Sequence, residues 1–176
     1  MPTGTSLYAA LAGYVGRPEA TGAVGIFHRP AGGTWQHVLD PLAGYLRVAE
    51  KAWAEAPAKW QGWNFGPDSG SERTVEEVAT LSCSLWERAD LLRINEDLNA
   101  PHEAIMLKLD STKARAELGW APRWAFEEAV ARTIEWYRHY MVGEAMLAFT
   151  RHQIAAYQDA TGHAARSEKT GNRVHA

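Results

Sequence analysis

The chain is poor in cysteine. Cys83 is the single one in 176 residues, so no disulfide can form within the chain. A zinc site built from several thiolates is excluded with it. The thiol reads as a buried, inert group in a reducing compartment, which gives the cytoplasm as the expected location. Long apolar runs are also missing. None approaches the roughly 20 residues of a membrane span, and residues 1–18 lack the basic and apolar regions of a secretory signal. A large excess of either charge is missing too. A formal net charge of -3 gives no electrostatic case for nucleic acid or an anionic membrane as partner.

Catalytic spacings are absent as well. The glycine pair Gly13–Gly16 is not G-x-G-x-x-G and follows no apolar strand, so it makes a poor phosphate cradle. None of the seven histidines lies in HExxH, and no serine lies in G-x-S-x-G. The residue four after each tyrosine is Ala12, Pro18, Ala49, Met141, Glu144 or Thr161, so no Tyr-x-x-x-Lys pair exists. From the residues alone the chain is a binding module, an interaction protein or part of an enzyme.

What is present is a soluble-domain composition, 46% hydrophobic and 22% charged, with eight tryptophans. That suffices for one domain with a core, and large aromatics read first as packing. Residues 1–22 stay unassigned, with only Leu7 to Val15 suited to a short helix. Ala23 to His28 and Thr34 to Leu39 read as strands. Asp40-Pro41 then starts a helix, the Asp accepting from first-turn donors. Leu42, Tyr45, Leu46, Ala49 and Trp53 give that helix one apolar face. Gly62 to Phe65 reads as a buried strand. Thr74-Val-Glu-Glu77 has capping-box spacing for a helix reaching Trp86.

Further strands are expected at Leu91 to Ile94 and Met106 to Leu109. Asp110-Ser-Thr112 caps a short helix that Gly119 closes. The helix with the clearest stripe runs from Phe126 to Met141, through Val130, Ile134 and Tyr137. A last helix, Phe149 to Tyr157, precedes a tail, 161–176, expected to be disordered. The order of elements gives an α/β or α+β body with few, short strands, spanning 23–160. Between two helices, Leu118-Gly-Trp-Ala-Pro122 forms an elbow. Gly119 permits a left-handed backbone, Pro122 stops the helix from resuming at once, and Trp120 packs under the turn.

Three stretches, in order, resemble the extended short-chain dehydrogenases/reductases, nearest to the CDP-glucose 4,6-dehydratase family. They are Thr34-Trp-Gln-His-Val-Leu-Asp-Pro41 with Leu42 to Tyr45, then Trp63-Asn-Phe-Gly-Pro67, then the C-terminal blocks. The last group comprises Pro101-His-Glu103, Leu107 to Asp110, Leu118 to Trp124, Thr133 to Tyr137, and Phe149, Gln153 and Tyr157. The resemblance covers about Ile26 to Asp159. It implies an α/β fold class: a small mixed α/β substrate-binding lobe without most of the Rossmann sheet. The family's glycine-rich turn and catalytic Tyr-x-x-x-Lys belong to an N-terminal half that these blocks do not include. The family reaction is an NAD-dependent internal redox dehydration of a nucleotide-sugar. The resemblance therefore implies a CDP-sugar as ligand, no cofactor bound by this chain alone, and NAD in the full-length family. It leaves open a separate chain carrying the N-terminal half, a homo-oligomer, a non-catalytic nucleotide-sugar or protein interaction module, and a poorly folding remnant.

Residue by residue, the resemblance places Asn64 near the diphosphate and His102 facing the nucleotide, against the plainer reading of an exposed loop histidine; Glu103 beside it reads first as a solvated carboxylate, with acceptance from a sugar hydroxyl as the second reading. Trp35 and His37 share one face of the expected strand. Packing is the first reading of Trp35, with ligand contact the second. The family's phosphate-pairing arginine, two residues before this tryptophan, is replaced here by Gly33. Arg29 is the nearest substitute, and glycine cannot make arginine's bidentate pair.

Overall fold

The computed structural model describes residues 24–28, 32–54, 61–96 and 109–160. The elements run β1 (Val24–His28), β2 (Gly32–Thr34), α1 (Leu39–Ala54), β3 (Glu72–Thr74), α2 (Val75–Leu85), β4 (Leu92–Glu96), α3 (Thr112–Leu118), α4 (Phe126–Met141) and α5 (Met146–Asp159). Short 3-10 turns, Ser69–Ser71 and Ala89–Leu91, precede β3 and β4. β1 and β4 form a parallel pair in register from Val24 opposite Leu92 to His28 opposite Glu96. β2 and β3 form an antiparallel pair in which Gly33 faces Arg73. The described chain is thus a mixed α/β body dominated by helices, as its sequence pattern implies.

The helices of the second half sit where their spacing puts them. α4 buries Phe126, Ala129, Val130 and Ile134. Three of these join Val78 of α2 in one cluster, which Trp35, Leu85 and Tyr137 flank. α2 begins with the expected capping box. Thr74 Oγ1 accepts from the Glu77 amide at 3.1 Å, and the Glu77 carboxylate accepts from the Thr74 amide at 2.6 Å. In the elbow, Gly119 has φ 59° and Trp120 is 3% exposed. Trp120 packs edge-on to Phe65 at 5.0 Å.

Several strand expectations give way. Of Thr34 to Leu39 only Thr34 lies in a strand, and the helix starts at Leu39. The cause is local: His37 Nδ1 accepts from the Leu39 amide at 3.2 Å and the His37 carbonyl accepts from the Asp40 amide at 3.0 Å, which turns the chain. Gly62 to Phe65 keeps an alternating burial, but no ladder forms among the described residues. Leu91 belongs to a 3-10 turn, and β4 begins at Leu92. Leu109 is exposed and outside any strand. Residues 1–22, with the expected short helix, and the tail 161–176 lie outside the described residues, as do Met106 to Lys108.

The apolar face expected on α1 exists, but it points to solvent. Leu42, Tyr45, Leu46 and Trp53 are 45%, 59%, 67% and 94% exposed. Half a turn round the helix, Asp40 and Gly44 are buried and Val48 packs on the Phe65–Trp120 cluster. A Cβ on Gly44 would lie 2.5 Å from the Phe65 ring, so this position admits only glycine without displacement.

Candidate functional site

The stretch after β2 and the loop 61–68 carry the described site candidates. Trp35 is half-buried; its Nε1 donates to the Arg73 carbonyl at 2.9 Å. Gln36 Nε2 donates to the Phe65 carbonyl at 2.8 Å, which ties the neighbour of Trp35 to the neighbour of Asn64. The structure therefore brings these two candidate-bearing segments together. Asn64 is exposed, and its carboxamide makes no hydrogen bond among the described residues. Arg29, His102 and Glu103 lie outside the described residues.

α3 clamps the Asn64 loop from below. Ser111 Oγ accepts from the Gly66 amide at 2.7 Å and donates to the Gly66 carbonyl at 3.2 Å. This hydroxyl therefore serves the loop rather than capping α3, where Asp110 Oδ1 accepts from the Thr112 amide instead. Arg115 pairs with Asp68 at 2.6 Å. Lys113 Nζ donates to Gln61 Oε1 and the Gly62 carbonyl, and Trp63 Nε1 donates to Glu117. Two hydrogen bonds to one glycine backbone, with an ion pair one residue beyond Pro67, fix the loop that presents Asn64.

His37 is 4% exposed and lies edge-on to Trp124 at 4.7 Å. Because Nδ1 accepts a hydrogen bond, the neutral ring carries its proton on Nε2. Burial, followed by the charge of Arg132, holds its pKa down to about 4. The ring therefore stays uncharged at neutral pH. Beside it, a groove of about 490 Å³ runs between the residues after β2, α4 and α5. Its walls include Val38, Leu39, Trp136, Tyr137 and Ile154. The wall is mostly apolar, and Gln36 Oε1 is buried with no partner among the described residues. Such a surface holds a ring or a chain; it carries no group matched to moving a proton at neutral pH.

Sequence reasoning missed two residues. Asp40, read as a helix cap, is wholly buried. Its Oδ1 accepts from the Arg123 amide at 2.9 Å and from the Tyr157 hydroxyl at 2.7 Å, and its carbonyl accepts from Trp120 Nε1 at 2.9 Å. Oδ2 has no partner. Burial raises the Asp40 pKa, against the lowering effect of those two hydrogen bonds and of the Arg123 charge. Burial, then the bond to Asp40, raises Tyr157 too. Asp40 thus joins α1, the elbow and α5, and an Asp-Pro pair carries no sequence signal for that long-range role. The second is Arg73. It lies directly across the strand pair from Gly33, so a cation stands beside the position where the resemblance expects one. Its guanidinium donates to the Gly70 and Glu72 carbonyls, reaches Glu127 at 3.1 Å and lies 5.0 Å over the Phe126 ring. β3 has three residues, too few for a periodic signal, which hid this neighbour.

No family model matches the chain. Against curated proteins, it is 42% identical over 128 residues to CDP-glucose 4,6-dehydratase of Salmonella typhimurium, across 72% of this chain. The chain is homologous to part of CDP-glucose 4,6-dehydratase. It spans 35% of that relative's length. Among solved structures, dTDP-glucose 4,6-dehydratase from Bacillus anthracis in complex with NAD matches 78% of this chain and 40% of its own, at 17% identity and a TM-score of 0.58. RMD from Pseudomonas aeruginosa complexed with NADPH matches 77% and 42%, at 16% identity and a TM-score of 0.59. These likenesses establish the fold as that of part of this enzyme group. The identity to the CDP-glucose 4,6-dehydratase establishes the homology, in agreement with the blocks read from the sequence. Among the described residues no helix is long and apolar enough to cross a membrane.

Proposed function

We propose that this chain is the nucleotide-sugar-binding part of a CDP-glucose 4,6-dehydratase-like protein, acting in the cytoplasm and not dehydrating its ligand by itself. The observation that carries the reading is the 42% identity to CDP-glucose 4,6-dehydratase over 128 residues. In this reading Asn64 donates its free carboxamide to the diphosphate. Trp35 presents its ring edge to the ligand, and Arg29, His102 and Glu103 remain further candidate contacts. Arg73, across the strand pair from Gly33, provides a cation there, with Glu127 as the carboxylate that a phosphate would displace.

NAD belongs to the wider family but fits poorly here. A pyrophosphate cradle needs a parallel strand that opens through a glycine-rich turn into a helix N-terminus. Among the described residues β1 is followed by β2, and β3, which does open into α2, is antiparallel and turns through Arg73-Thr74-Val75-Glu76 with no glycine. The dinucleotide and the proton-handling groups therefore belong, on this proposal, to a body beyond these residues.

Calorimetric titration of the purified chain with CDP-glucose, CDP and NAD tests the proposal. Heat on adding CDP compounds, with none for NAD, is the expected result. Binding of NAD, or silence with every CDP compound, overturns it. A second reading, a protein interaction module, is favoured by one observation: the uncovered apolar face of α1.

A further inference from the structure

The groove beside His37 is lined by polar groups that the fold leaves unmatched. His37 and Gln153 both line it, and they are 4% and 5% exposed. Each has one end of its side chain committed to the protein. His37 Nδ1 accepts from the Leu39 amide, so the neutral ring carries its proton on Nε2. Gln153 Nε2 donates to the Arg132 carbonyl at 2.8 Å. A carbonyl only accepts, so this bond fixes the amide and leaves Oε1 as its free end. Neither His37 Nε2 nor Gln153 Oε1 has a partner among the described residues. Gln36 repeats the pattern: its Nε2 donates to the Phe65 carbonyl, and its Oε1 is buried without a partner among the described residues. One donor and two acceptors thus belong to the same groove. Buried polar groups are as a rule matched, so three unmatched ones on one cavity point to a ligand that completes them.

The rest of the wall sets the class of that ligand. Val38, Leu39, Tyr137 and Ile154 are apolar, and Trp136 adds a flat face. Trp136 is held from two directions. Its Nε1 donates to Thr150 Oγ1 at 3.0 Å, and its ring stacks on Tyr140 at 5.4 Å with 11° between the planes. A wall fixed in advance costs little ordering when a ring settles on it. No lysine, arginine, aspartate or glutamate lines the groove among the described residues. Arg132, whose charge acts on His37, is engaged by Glu128 and Glu135. An ion entering here would lose its water and meet no opposite charge. The volume of about 490 Å³ is room for a substituted ring.

We propose that this groove binds an uncharged aromatic carboxamide or lactam, whose carbonyl accepts from His37 Nε2 and whose N–H donates to Gln153 Oε1, with its ring against Trp136. Gln36 Oε1 is the acceptor for a second N–H. The groove is separate from the proposed diphosphate contacts, since Asn64, Trp35 and Arg73 do not line it. The inference does not rest on the binding of any CDP compound.

The test titrates benzamide into the isotope-labelled full chain and follows its nitrogen–proton spectrum. Saturable shifts of the Trp136 indole and the Gln153 carboxamide are expected, with a Kd of about 1 mM, the range of so small a ligand. They are expected to persist when CDP-glucose is added. N,N-dimethylbenzamide lacks the N–H, and benzoate is charged; each is expected to bind at least fivefold more weakly. Val38→Asp puts a carboxylate at a wall position that is 61% exposed. It is expected to weaken benzamide at least fivefold while the chain keeps its melting temperature. Ile154→Trp, which fills the groove, should give the same loss should the first variant fail to fold. Signals that stay fixed up to the solubility limit of benzamide overturn the inference. So do equal affinities for the three probes, which would leave only a greasy surface, and undiminished binding in both variants. Displacement of benzamide by CDP-glucose overturns it too, because the groove would then be part of the nucleotide site. A working groove in a chain that binds no CDP compound would instead refute the proposed function alone.

Discussion

Asp40 shows how much a single side chain can hold. Its carboxyl links the first turn of α1 to the Arg123 amide and the Tyr157 hydroxyl, while Oδ2 stays buried without a partner among the described residues. Asp40→Ala removes the one oxygen that accepts both bonds and leaves a part-buried amide and a buried hydroxyl unpaired, a loss of about 3 kcal/mol by urea unfolding. His37 next to it makes stability depend on pH. Its folded pKa of about 4 lies below the 6.5 of the unfolded chain. The folded state therefore binds fewer protons, and the contribution of His37 is complete above pH 6.5 and lost as pH falls toward 4. The amount is about 3 kcal/mol. Asp40 acts in the opposite sense. Its pKa is raised on folding, so its proton favours the folded state, and that advantage fades as pH climbs above 3.8. Unfolding curves of the native chain and of His37→Gln between pH 4 and 7 should converge at the acid end and separate toward neutrality.

At the scale of elements, capping and periodicity made the helices legible. Phe126–Met141 follows the stripe of Phe126, Val130, Ile134 and Tyr137, and α2 begins at its capping box. Thr74→Ala is expected to cost about 1 kcal/mol, measured by thermal unfolding. Gly119, at φ 59°, should lose about 1 kcal/mol as alanine, because the left-handed backbone crowds a Cβ. Strands were harder to read, for a physical reason. β-forming residues describe a pleated surface and do not themselves supply a partner. Trp35 to His37 look like strand residues, yet a histidine side chain turns the main chain into α1. Gly62 to Phe65 look like a buried strand, and their alternation survives without a ladder. The apolar stripe of α1 was visible; that it faces outward was not, because Gly44 and Asp40 on its other side give no hydrophobic signal. Gly44→Ala is expected to destabilise the chain by about 1–3 kcal/mol through its collision with the Phe65 ring.

Across the whole molecule, the described residues make a helix-rich α/β body that shares its fold with about two-fifths of the matched solved enzymes. Of the site candidates, the loop holding Asn64 was legible through its Trp-Asn-Phe-Gly-Pro block. Its clamp by Ser111 and Arg115 was not, because those bonds join residues more than forty positions apart. On the proposed function, this body holds a CDP-sugar through that loop. The most direct measurement is a nitrogen–proton correlation spectrum of the labelled chain, recorded while CDP-glucose is added. The account predicts saturable shifts of the Asn64 carboxamide and the Trp35 indole signals, both lost on Asn64→Ala together with about tenfold of the affinity. Signals at Asn64 and Trp35 that stay fixed at saturating CDP-glucose would contradict it.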